Sequence, residues 1–66
     1  MSLIHASAVI ENGAVLGDNV SVGPFAYIGP NVKIGDNTTI ASHAVVEGHT
    51  TIGKNNRIFP HAAIGT

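Results

Sequence analysis

The sequence predicts an all-β chain wound as a parallel β-solenoid of triangular coils, and three observations carry that prediction. Aliphatic residues occupy every sixth position without a break: Ile4, Ile10, Leu16, Val22, Ile28, Ile34, Ile40, Val46, Ile52, Ile58 and Ile64. Two positions before each of these, from Ala8 onward, stands a small or β-branched residue, with Asn56 as the exception. The phrase Leu16-Gly17-Asp18-Asn19 returns as Ile34-Gly35-Asp36-Asn37 and as Ile52-Gly53-Lys54-Asn55, so three hexads make one repeat of eighteen residues. Neither a helical stripe nor a hairpin alternation has this period.

Each hexad then has a physical reading. Side chains alternate along a strand, so the aliphatic residue and the one two before it point to the same face of a short extended segment. The remaining residues turn a corner, where Gly accepts unusual backbone angles and Asn visits the left-handed region. Three strands and three corners close one coil, and stacked coils bury the aliphatic column while touching only their neighbours. The 66 residues suffice for about three and a half coils. Asn19, Asn37 and Asn55 fall one coil apart, as do Gly17, Gly35 and Gly53. The Asn column is expected to stack as an amide ladder that sets the coil register. The short Pro segments Gly23-Pro24 and Gly29-Pro30 are corner chemistry, since Pro presets a turn and cannot donate to a ladder. Asp18, Asp36 and Lys54 read as a solvated corner.

Composition narrows the function classes. Three Lys/Arg against four Asp/Glu leave no basic footprint for nucleic acid or an anionic membrane surface. The absence of cysteine removes disulfides and thiolate metal sites. No apolar run approaches a membrane span, and the N-terminus lacks a signal-peptide pattern, so a cytoplasmic protein without membrane insertion is expected. No Gly-rich segment leads into a helix that could present its N-terminus to a phosphate.

The residue before each aliphatic position faces outward, which sorts the exterior into three faces. One shows Val9, Tyr27, Val45 and Ala63; the second Val15, Lys33 and Thr51; the third Ser21, Thr39 and Arg57. Only the first is a continuous apolar stripe, and such a stripe on a solenoid with a filled interior marks a contact surface. Val9, Tyr27, Val45 and Ala63 are therefore the candidate subunit interface. His43 and His61 lie one coil apart at the corner preceding that face, in a column completed by Ser7 and Phe25, and are candidate functional residues. Corner packing is the plain reading of the pair. Acid–base work, or a metal held with a ligand from a second subunit, is the sharper one. His49 falls on a different corner. Glu11 and Glu47 share a column but are separated by Gly29. No nucleophile–base–acid set emerges, so no catalytic, cofactor-binding or metal residue is assigned and no cofactor is expected.

Residues 22–65 also carry a more specific resemblance. Val22-Gly23-Pro24-Phe25, Ser42-His43 with Val45-Val46, Gly48-His49-Thr50, Ile52-Gly53, and Asn56-Arg57-Ile58 leading to Ala63-Ile64-Gly65 resemble the N-terminal coils of bacterial UDP-N-acetylglucosamine O-acyltransferases, within the hexapeptide-repeat acyltransferases. The resemblance implies a left-handed parallel β-helix, against the right-handed crossover rule. It implies a homotrimer that moves a hydroxyacyl group from acyl carrier protein to a nucleotide sugar in lipid A biosynthesis. It also places the family's general base, a histidine in a His-x-x-Ala-His-Asp type context, on a coil beyond Thr66. His43 and His49 match family positions that are not the base. Phe59-Pro60-His61 departs from the family's Tyr/Phe-Gln-Phe, so His61 takes no support from the match.

The expectation is a single segment, residues 1–66, forming the N-terminal coils of a longer enzyme and inactive alone. Two alternatives stay open. One is a structural, self-assembling truncated β-helix scaffold, which activity of the isolated chain would refute. The other is a zinc-dependent hexapeptide protein of the γ-carbonic anhydrase type, which needs three histidines converging across an interface. Ice binding would need a regular outward Thr ladder, which the outer columns lack.

Overall fold

The computed structural model describes residues 3–65. Among the described residues eleven strands follow one another: β1 (Leu3–Ile4), β2 (Val9–Ile10), β3 (Val15–Leu16), β4 (Ser21–Val22), β5 (Tyr27–Ile28), β6 (Val32–Ile34), β7 (Thr39–Ile40), β8 (Val45–Val46), β9 (Thr50–Ile52), β10 (Arg57–Ile58) and β11 (Ala63–Ile64). Every third strand joins the same sheet, giving the orders β1-β4-β7-β10, β2-β5-β8-β11 and β3-β6-β9. All pairings are parallel, and each residue meets the one eighteen positions on, as in Leu3↔Ser21, Val9↔Tyr27 and Val15↔Lys33. This is the left-handed parallel β-helix that the hexad and the resemblance together predict.

The coil closes because each short strand's backbone is satisfied by the next coil. The N–H of Gly17 donates to the Ile34 carbonyl at 2.8 Å and that of Gly35 to the Ile52 carbonyl at 2.7 Å. The glycines follow from this spacing. A Cβ on Gly35 would sit 2.7 Å from the carbonyl carbon of Gly53 and 2.8 Å from the Lys54 nitrogen. Backbone cannot move aside there as a flexible side chain would, so any larger residue pushes the coils apart.

Burial follows the hexad but is graded along the axis. Val20, Val22, Ala26, Ile28, Val32, Ile34, Ile40, Ala44, Val46 and Ile52 form the buried core. Ile10, Leu16, Ile58 and Ile64 are half-buried, and Ile4 is 47% exposed. A solenoid coil is covered only by its neighbours, so identical inward residues differ in burial by their place in the stack. Thr38 occupies an inward position with a polar side chain. Its hydroxyl donates to the Gly53 carbonyl at 2.8 Å and accepts the Asn56 N–H at 3.4 Å, which offsets its desolvation.

The Asn corner adopts the left-handed backbone at φ 58°, 60° and 59° for Asn19, Asn37 and Asn55. Asn is among the few residues that accept this region readily. The corners are linked by backbone: the Asn37 N–H donates to the Asp18 carbonyl and the Asn55 N–H to the Asp36 carbonyl, both at 2.9 Å. Asp18 and Lys54 are exposed at this corner and Asp36 is half-buried, its Oδ1 accepting the Asp18 N–H at 2.8 Å and tying one coil to the next.

Candidate functional site

The corner that leads into β2, β5, β8 and β11 brings the sequence's candidate residues together. It is built by Gly23-Pro24-Phe25, Ala41-Ser42-His43 and Phe59-Pro60-His61 on successive coils. Phe25, His43 and His61 all take left-handed backbone angles, at φ 61°, 62° and 62°. Phe resists this region more than His does, and backbone hydrogen bonds to the neighbouring coil hold the conformation. The His43 N–H donates to the Pro24 carbonyl at 3.1 Å and the His61 N–H to the Ser42 carbonyl at 3.3 Å. At the top of the column the Ser7 hydroxyl accepts the Phe25 N–H at 3.2 Å and lies 2.8 Å from His5 Nδ1.

Fixed backbone direction makes the side chains stack. The Phe25 and His43 ring centroids are 5.2 Å apart with planes tilted by 31°. His43 and His61 are 4.9 Å apart and within 19° of parallel. Three rings thus form one exposed column at the strand spacing, with Phe25 63% exposed. The sequence places the residues in this column but signals the left-handed backbone only weakly, through His, since Gly and Asn are absent from it.

Beside the column, Val9, Tyr27, Val45 and Ala63 lie in exact pairing register on the outside of one sheet, as their spacing predicts. Val9 is 50% exposed, and Tyr27 and Val45 are half-buried. The Tyr27 hydroxyl donates to Glu11 Oε2 at 3.3 Å. Partial desolvation, then the charge of Glu11 and the hydrogen bond to it, then the charge of Glu47, push the phenol above its ordinary value. This Glu11 contact escapes the sequence reading, although Glu11 stands one strand-end away from Val9, the residue that pairs with Tyr27.

On another face, an open groove of about 450 Å³ runs over β1, β4 and β7 past Leu3, Ser21 and Thr39. Among the described residues on its lining His5 is the one titratable group, and the groove presents it beside the hydroxyls of Ser21 and Thr39. Among the described residues no three His, Cys, Asp or Glu side chains gather to hold a metal. No helix of the described residues is long and apolar enough to cross a membrane.

The profile of the bacterial transferase hexapeptide family (six repeats) matches residues 1–30 and 13–48. The chain belongs to this family. Among hexapeptide transferases, it is 70% identical over all 66 residues to the acyl-[acyl-carrier-protein]–UDP-N-acetylglucosamine O-acyltransferase of Sulfurovum sp., and 73% identical to that of Aliarcobacter butzleri. It spans 25% of the length of each of these relatives. Among solved structures, 94% of the chain superposes on 25% of the UDP-N-acetylglucosamine acyltransferase from Campylobacter jejuni, with a TM-score of 0.93 and 47% identity. The Arabidopsis UDP-N-acetylglucosamine acyltransferase matches 92% of the chain over 21% of its own, at a TM-score of 0.91 and 39% identity.

Proposed function

We propose that this chain supplies the N-terminal β-helical coils of an acyltransferase that moves a hydroxyacyl group from acyl carrier protein to UDP-N-acetylglucosamine, the reaction class that opens lipid A biosynthesis in the cytoplasm. The observation that carries the reading is the 70% identity to the Sulfurovum O-acyltransferase over the whole chain. The role of these residues is architectural. Their packed hexads hold a straight prism whose coils continue in register into those that bear the general base. The Val9–Tyr27–Val45–Ala63 face meets its copies in a homotrimer, so that clefts between subunits take up the acyl donor and the nucleotide sugar. Partly exposed aliphatic and aromatic surface at this face supports the assembly role.

The test is a chimera in which residues 1–66 replace the matching coils of the Campylobacter jejuni enzyme, assayed for acyl transfer to UDP-N-acetylglucosamine. Retained activity supports the reading. A chimera that folds with native helical pitch yet has lost transfer overturns it. The isolated 66-residue chain is expected to show no transfer.

A further inference from the structure

The Phe25–His43–His61 column is the feature that the architectural role leaves unexplained. Left-handed corners are satisfied most cheaply by Asn or Gly, and the neighbouring corner uses Asn on all three coils. Here the chain holds two imidazoles in the same region, which His enters more readily than most residues with a side chain. The stacked pair has its backbone anchored on both coils, at 3.1 Å and 3.3 Å. Both residues are exposed, and neither imidazole makes a hydrogen bond among the described residues.

We propose that His43 and His61 form a two-point chelate for a late first-row divalent cation: Zn²⁺, Ni²⁺ or Cu²⁺. Neutral imidazole is a ligand these metals favour over carboxylate and carbonyl oxygen. Metal–nitrogen bonds of about 2.0–2.1 Å at a tetrahedral angle put two ligating nitrogens about 3.3 Å apart. The rings start 4.9 Å apart between centroids and 19° from parallel, so tilting their outer edges together closes the gap. The imidazole χ2 torsion is broad enough to permit this within one rotamer. Phe25 closes the column on one side with a ring that cannot ligate, which confines the metal to the His43–His61 step. His5 is engaged with Ser7, and His49 lies on another corner, so neither joins the pair. Two protein donors leave the remaining coordination positions open to water or to a group from another molecule. This inference stands apart from the acyltransferase reading.

The experiment is calorimetric titration of the 66-residue chain with NiCl₂ and with ZnCl₂, beside imidazole nitrogen spectra that identify the ligating rings. Asn accepts the left-handed backbone, so His43→Asn and His61→Asn remove a ligand while keeping the corner. The proposal predicts one cation per chain, with each variant binding at least tenfold more weakly. His5→Asn and His49→Asn are predicted to bind as the unaltered chain does. Equal binding by the His43→Asn/His61→Asn double variant overturns it. So does a folded, unaltered chain whose His43 and His61 nitrogen signals do not move at saturating metal.

Discussion

Replacing Ile40 with Ala tests the inward reading of the hexad at its most demanding point. Ile40 is 1% exposed, pairs with Val22 on one coil and Ile58 on the other, and faces the core built from the other two sheets. The substitution removes three carbons. At about 0.8 kcal/mol per buried carbon, the transfer part is about 2.4 kcal/mol. The cavity left between rigid coils adds to it, giving a total of roughly 2–5 kcal/mol. A chain of 66 residues has a stability on the order of 3–10 kcal/mol. The change therefore removes a large share of the total. Urea unfolding followed by far-UV circular dichroism reads it directly. With a denaturant slope of about 1 kcal/mol/M, the midpoint falls by about 2 M or more. Ile4→Ala is the control: the residue holds the same hexad position but is 47% exposed, so its midpoint shifts far less. Equal shifts for the two variants would refute the argument that stacking, rather than sequence position, decides the energy.

Two further perturbations follow from particular contacts. Gly35→Ala drives a Cβ to within 2.7 Å of the Gly53 backbone, whereas the corresponding Cβ at Gly53 meets nothing closer than Asn56 Nδ2 at 3.4 Å. Urea unfolding is expected to show Gly35→Ala costing about 1–3 kcal/mol or more, with Gly53→Ala costing distinctly less. Tyr27 is expected to titrate above the ordinary phenol range by ultraviolet absorbance, and Glu11→Gln to bring it back toward that range. Because the folded chain keeps this proton longer than the unfolded one, stability declines as pH rises from about 10 through the folded value. A Tyr27 titration unmoved by Glu11→Gln would contradict the assigned contact.

What was legible in the sequence was whatever repeats. The eighteen-residue register, the inward aliphatic column and the three outward columns follow from spacing alone, and the pairings Val9↔Tyr27, Tyr27↔Val45 and Val45↔Ala63 reproduce it. Handedness did not follow from spacing; it came with the resemblance to hexapeptide-repeat acyltransferases. The graded burial from Ile4 to Ile40 was hidden because a periodic pattern marks direction, while burial depends on how many coils lie on either side. The Asn corner announced its left-handed backbone through residue type. The corner at Phe25, His43 and His61 did so less plainly, because Phe resists that conformation and backbone hydrogen bonds to the neighbouring coil hold it. The candidate site shares this division. Its members were found by counting, but the parallel rings, the Tyr27–Glu11 hydrogen bond and the tie from Asp36 to Asp18 depend on side-chain directions that spacing does not encode.

We propose that these coils contribute an assembling face to an acyltransferase and leave the chemistry to other coils. Sedimentation velocity on the 66-residue chain over a range of concentrations tests it most directly. The account predicts one discrete species of three chains, dissociated by Val45→Glu in the middle of the apolar stripe. A monomer at every concentration, or a trimer indifferent to Val45→Glu, would contradict it.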